Sequence, residues 1–314
     1  MIQSGFSKCF LWQLAAIFLF TLFGCGSATN KQKNQMLTTI VPQEIVDNLL
    51  NKTYSPEEKD LISRDLKNIH ETCFLNKKPG AENNPVYVAT AGGPGACKST
   101  ILESYLHDNT LDFVYVDPDQ RALRFMINTY HQSITNYDLK KNSSYEAVLK
   151  TAYGKWRDAS NYIANTILNE AFSLGYNIAH GTTSTASTMN LFYDKLKQKN
   201  YKIVLLLCNL PDETRMKALE YRTKVQGFVQ SAPEDVINKS KMFSERFPVY
   251  FTYADEIHFY WTQDFLKGST HAATYTKESG LVVLDKNAFD CFVKKYDDDR
   301  KGTALASLNE LIKK

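Results

Sequence analysis

The sequence predicts an α/β protein built on a doubly wound, mostly parallel sheet, with a C-terminal hairpin and helix. Three observations predict it. Short β-rich runs alternate with helical segments along the chain, one such run opens directly into a glycine-rich loop, and residues 201–208 (YKIVLLLC) are apolar on both faces. Only a central parallel strand needs two apolar faces.

The elements follow in order. Residues 9–23 are a nearly unbroken apolar run behind one positive charge, the layout of a secretory signal. Leu22-Phe23-Gly24-Cys25 closes it and resembles the lipobox of bacterial lipoproteins. Residues 1–24 are thus read as a signal peptide, Cys25 as a lipidated first mature residue and a membrane anchor, and residues 25–50 as a polar tether. An uncleaved anchor, or a cytoplasmic protein translated from Met36, stays open. Ser55-Pro56-Glu57-Glu58 combines a capping hydroxyl, a proline at the first helical position and a glutamate three residues after the cap, which starts a helix running towards Glu71. Residues 85–90 form a strand that leads into the loop 91–100 and a helix through 101–107. Residues 112–116 make a second strand, and a helix is expected from Arg121 onward. Ser143-x-x-Glu146 caps a long helix whose Val148, Ala152, Trp156, Ala159, Ile163 and Ile167 recur every three or four residues until Gly175. Residues 176–179, 201–208 and 249–253 supply three more strands. Residues 271–276 and 281–284 flank Lys277-Glu-Ser-Gly280 as a hairpin before a last helix. The expected organisation is a P-loop domain over 51–270 and a C-terminal hairpin and helix over 271–314.

Composition narrows the function. The 37 basic and 34 acidic residues give a net charge of +3 spread along 314 residues, so a concentrated basic surface for nucleic acid has no support. The six cysteines are far apart and no histidine stands at metal-ligand spacing from them or from another histidine, which argues against a disulfide scaffold and a structural zinc site.

The loop is the strongest signal. Gly92-Gly93-Pro94-Gly95-Ala96-Cys97-Lys98-Ser99 fits G-x-x-x-x-G-K-[ST] except that Cys97 stands at the second glycine, and it follows a strand and precedes a helix. Backbone N–H groups of such a loop and the helix N-terminus form an anion nest for the phosphates of ATP. Lys98 is expected to reach the β- and γ-phosphates, Ser99 to ligate Mg²⁺, and Thr100 to close the loop. If position 97 needs a positive φ, the cysteine strains the loop.

Phosphoryl transfer also needs a group that orients or deprotonates the acceptor hydroxyl. Asp117-Pro118-Asp119 follows the second strand at the sheet edge where ligands bind. Asp119 is the candidate base; Asp117 either contacts the acceptor or caps the following turn. Arg121, His180 and Thr182 stand at the same edge as candidate acceptor-binding residues, a lone histidine being more often a packing residue.

This order of motifs resembles the zeta toxins of bacterial toxin–antitoxin systems. The shared series is a phosphate loop with Pro-Gly before the lysine, D-x-D after the second strand, a long helix, Gly175-Tyr-Asn-Ile before Gly181-Thr182, and a leucine-rich strand ending near Pro211; it spans roughly residues 86–254. The resemblance implies a P-loop kinase that phosphorylates the 3′-hydroxyl of the sugar in UDP-N-acetylglucosamine, with Lys98 and Ser99 holding ATP and Mg²⁺, Asp119 as base, and an antitoxin as partner. Of the family's two catalytic arginines, Arg222 matches the first and Gln230 stands in place of the second. His180 falls where the family has a substrate-binding glutamate.

Two other functional classes fit parts of the sequence less well. A GTPase would need an N-K-x-D guanine reader and a D-x-x-G loop, neither of which stands in a suitable place. A zeta-like module that binds nucleotide and has lost transfer would show binding without turnover, because losing a transition-state arginine costs about 10³-fold in rate.

Overall fold

The computed structural model describes residues 39–51, 54–80, 84–135, 144–226 and 233–313. The expected signal segment, Cys25, Met36 and Gln230 lie outside these residues. Two helices open the described chain: α1 (Gln43–Asn51) and α2 (Pro56–Phe74), the latter started by the expected capping box between Ser55 and Glu58. Ile40 and Val46 are buried, and the backbone of Val41 exchanges hydrogen bonds with the side chain of Asn169 at 2.8 and 2.9 Å. The tether expected to reach residue 50 is therefore folded structure from residue 39.

The sheet then assembles from β1 (Val86–Ala91), β2 (Phe113–Val116), β3 (Asn177–His180), β4 (Lys202–Asn209), β5 (Glu256–Asp264), β6 (Gly268–Thr276) and β7 (Gly280–Val283). Its spatial order is β2-β3-β1-β4-β5-β6-β7. The first five strands are parallel, and β6 and β7 join antiparallel. The mostly parallel P-loop arrangement is thus present, and the hairpin extends the same sheet. The described residues from 39 onward form one compact unit.

Helices cover both faces because the central strands are apolar on both. Val88, Val204, Leu206 and Cys208 face one way and pack with Ile101 and Leu102 of α3 (Lys98–His107). Tyr87, Ala89, Ile203, Leu205 and Leu207 face the other way, against the buried stripe of α5 (Tyr145–Leu174) and its neighbours. Between these two helices lies α4 (Tyr130–Thr135). The remaining helices are α6 (Met189–Gln198), α7 (Asp212–Gln226), α8 (Pro233–Glu245), α9 (Phe247–Tyr253), α10 (Lys286–Asp299) and α11 (Leu308–Ile312).

Three local expectations are corrected. Residues 249–253 are not a strand but belong to α9; Phe247, Tyr250, Phe251 and Ala254 are buried, a helical spacing that alternation would not produce. The fifth strand is β5, a few residues later. No regular α-helix starts at Arg121: Pro118–Ala122 is a π-helical turn and Leu123–Phe125 a 3₁₀ turn. The cap of α5 is Ser144, whose hydroxyl accepts the Ala147 N–H at 3.2 Å, one residue beyond the expected Ser143. Among the described residues no helix is long and apolar enough to cross a membrane.

Candidate active site

The site forms where β1 ends. Gly92 takes φ 154°, and a Cβ there would collide with the carbonyl oxygen of Cys208 on β4, so only glycine lets the loop leave the sheet. The loop is then pinned from both sides. Gly92 N–H donates to the Thr183 carbonyl at 3.1 Å, the Thr90 hydroxyl donates to the Thr182 carbonyl at 2.8 Å, and Ser184 Oγ donates to the Thr90 carbonyl at 2.9 Å. Arg215 on α7, fully buried, donates to the Pro94 carbonyl at 3.1 Å and to Asn209 Oδ1 at 3.3 Å, and its Nε lies 3.5 Å from Asp212 Oδ1. This buried guanidinium, bonded to the Pro94 carbonyl, braces the loop.

Cys97 settles the question of its position. It stands at φ 54°, ψ 21° as the N-cap of α3, the left-handed conformation that disfavours any residue with a side chain. Lys98 follows and turns back to donate from Nζ to the Gly93 carbonyl at 2.9 Å. Burial first, then the nearby Arg215 and Arg222 guanidiniums, push the Lys98 amine down to about 8. Ser99 is partly covered and Thr100 exposed in the first turn of α3.

The two aspartates part company. Asp117 is buried, and its Oδ1 accepts the N–H groups of Asp119 and Gln120 at 2.8 and 2.9 Å, the turn-capping alternative of the two expected for it. Burial pushes its carboxyl up to about 6 against those hydrogen bonds, with the Asp119 charge adding to the rise. Asp119 instead meets two arginines: Arg157 Nη1 of α5 on Oδ1, and Arg222 Nη2 of α7 at 3.8 Å from Oδ2. Lys98, Asp117, Asp119 and Arg222 are close enough for their charges to act on one another. Arg157 was not singled out in the sequence. Its only signal is a cation next to Trp156 inside an apolar helical stripe, and nothing local says which carboxylate it would meet.

The other candidates lie differently. Arg121 places its guanidinium over the Tyr115 ring, 4.4 Å from the centroid, and 4.0 Å from Glu103. His180 ends β3 with Nδ1 hydrogen-bonded to the Tyr87 hydroxyl at 2.8 Å and its ring against Phe192. Burial pushes its imidazole down to about 4, so it is neutral at physiological pH. Thr182 accepts the Ser184 N–H at 3.2 Å through Oγ1 and helps anchor the phosphate loop.

Comparison with known proteins agrees with this geometry. The sequence model of the family described as zeta toxin matches residues 71–236, from the end of α2 through the loop and both aspartates into α8. The chain belongs to the zeta toxin family. Solved structures show the likeness of fold extending further along the chain. One from the PezAT chromosomal toxin–antitoxin system of Streptococcus pneumoniae aligns with TM-score 0.52 at 16% identity, over 83% of this chain and 98% of that one. The AvrRxo1-ORF1:-ORF2 structure with ATP aligns with TM-score 0.55 at 10% identity, over 90% and 85%. The same complex in its native form gives 0.54 at 11% identity, over 94% and 92%. A search of curated proteins by sequence finds no match. At such identities the likeness establishes fold, and the zeta family assignment rests on the sequence match.

Proposed function

We propose that this zeta-family chain is an ATP-dependent phosphotransferase that passes the γ-phosphoryl group to a hydroxyl of a small acceptor, with a UDP-amino sugar as the first candidate. The observation that carries the reading is Asp119, held by Arg157 and Arg222 at the sheet edge where β1 opens into the phosphate loop. The loop fits a triphosphate: Gly92 and Gly95 adopt positive φ, and Lys98 now rests on the loop's own Gly93 carbonyl, a contact that a phosphate oxygen would replace. MgATP, when bound, supplies the transferable phosphoryl group and the divalent charge that neutralises it.

The chain's residues have separate tasks. Lys98 and the loop N–H groups of residue 93 and residues 95–100 hold phosphates, and Ser99 offers the hydroxyl for Mg²⁺. Asp119 accepts the proton of the acceptor hydroxyl, oriented by Arg157, while Arg222 is placed to meet charge on the transferring group. Asp117 holds the turn that presents Asp119. The solved relatives come from a toxin–antitoxin system and a two-protein complex, which supports an antitoxin-like protein as partner.

A second reading is favoured by one observation. Cys97 sits in the left-handed region, a strain that weakens the loop, and a module that binds nucleotide with little turnover would follow. Phosphorus NMR of the full chain with MgATP and a panel of UDP-sugars separates the two. A new phosphomonoester signal that disappears in Lys98→Ala establishes the kinase and names its acceptor; unchanged ATP beside an ATP-dependent thermal shift establishes the binding module.

A further inference from the structure

A second cluster of chemistry lies away from the phosphate loop, on β5 and β6. His258 Nδ1 and His271 Nε2 are 3.1 Å apart, and Thr274 Oγ1 stands 3.1 Å from His271 Nε2 and 3.5 Å from His258 Nδ1. Regular alternation would put residues 271 and 274 on opposite faces of β6. A break in register brings them together: Ala273 pairs with Phe259 while His271 pairs with the next residue, Tyr260, leaving Ala272 as the bulged residue. The Ala272 carbonyl is held there by the N–H groups of Leu284 and Asp285, at 2.9 and 3.0 Å. Bulges of this kind re-aim a side chain. This one turns His271 towards His258.

We infer that His258, His271 and Thr274 form a binding site for a late first-row divalent cation such as Zn²⁺, with water completing the coordination. Imidazole donors suit these ions and do not suit Mg²⁺, so the site is chemically distinct from the nucleotide site. For metal–nitrogen distances of ~2.0–2.1 Å, tetrahedral ligands lie ~3.3 Å from one another, and the three edges here bracket that spacing. The ion fits just outside the plane of the three donor atoms.

The surroundings resemble the outer shell of a metal site. His258 Nε2 is 2.8 Å from Glu256 Oε1, whose other oxygen meets Lys202 Nζ at 2.7 Å. With Nε2–H donating to that carboxylate, Nδ1 keeps its lone pair and faces His271. A carboxylate behind a ligating imidazole fixes its tautomer and raises its basicity. Tyr260 stacks on His271 with centroids 4.8 Å apart, and Tyr105 of α3 meets His258 edge-on at 5.6 Å, so both rings are held in orientation. Among the described residues no three His, Cys, Asp or Glu side chains form a metal-ligand group, so this site rests on its two imidazoles, with the threonine hydroxyl as a weaker third donor.

The test is calorimetric titration of the full chain, prepared without a histidine tag and stripped with chelator, using zinc sulfate in nucleotide-free buffer. The expected result is one zinc equivalent whose affinity falls at least 10-fold in His271→Ala and in Thr274→Val, and roughly 10-fold in Glu256→Gln. Cobalt substituted for zinc gives visible absorption of a tetrahedral centre, absent in His271→Ala. His271 and Thr274 are only partly buried, and metal-free thermal melting of the His271→Ala and Thr274→Val variants beside wild type checks that each still folds. No zinc bound by the wild type, or zinc bound equally well by His271→Ala and Thr274→Val, overturns the site.

Discussion

Gly181 lies flush against the Asp117 carboxylate: a Cβ at Gly181 would occupy the space of Asp117 Oδ2, while the Gly181 N–H donates to the Val116 carbonyl at 2.8 Å. The two residues end adjacent parallel strands, β2 and β3, and their contact fixes the turn that carries Asp119. Gly181→Ala is expected to destabilise the protein by about 1–3 kcal/mol, the usual range for forcing a methyl group into filled space. Urea unfolding followed by far-UV circular dichroism measures this, and activity should fall further than stability alone accounts for.

Arg157 orients Asp119 without belonging to the phosphate loop. Arg157→Met should therefore lower kcat roughly 10-fold or more through misplacement of the carboxylate while KM for ATP stays near wild type. Arg157→Lys, which keeps the charge and loses the fork, should recover part of the rate. Steady-state kinetics that show a KM effect alone would place Arg157 in nucleotide binding instead.

Cys97 offers the opposite kind of change. At φ 54° the cysteine pays a left-handed penalty that glycine avoids, so Cys97→Gly should stabilise the fold by about 1 kcal/mol and tighten ATP binding. Thermal melting with and without nucleotide reads both effects. A lower melting temperature in the variant would show that the thiol's packing outweighs the backbone strain.

Asp117 makes stability depend on pH. Its folded-state carboxyl titrates near 6 because burial disfavours the charged form, above the unfolded value of about 3.9. The folded protein then binds a proton that the unfolded chain has released, so this residue's contribution declines as pH rises from about 4 to about 6 and is level above that. Asp117→Asn removes the decline. The stability difference between variant and wild type should shift in the variant's favour across that window, by on the order of 2–3 kcal/mol, as measured by denaturant unfolding at several pH values.

Much of the fold was legible because its signals are local. The capping box at Ser55, the two-faced apolar run of β4 and the stripe of α5 each depend on residues a few positions apart. The segment 247–254 misled because its aromatic, β-branched composition reads as a strand, whereas its burial follows helical spacing. The phosphate loop and Asp119 were likewise visible as a motif series, and Arg222 through the family resemblance. Arg157 was not, because its partner lies 38 positions away and is met only when α5 crosses the turn after β2.

Spacing and residue type over short distances were enough for the mostly parallel sheet, the phosphate loop between its first strand and helix, and the family to which the chain belongs. The tertiary structure alone decided which groups meet. It set Arg157 and Arg222 on Asp119, buried Arg215 behind Pro94, neutralised His180 against Tyr87, and used a bulge at Ala272 to face His271 towards His258. Those outcomes depend on strand register and helix crossing, which are fixed by packing over the whole sheet and leave no mark in any single stretch of sequence.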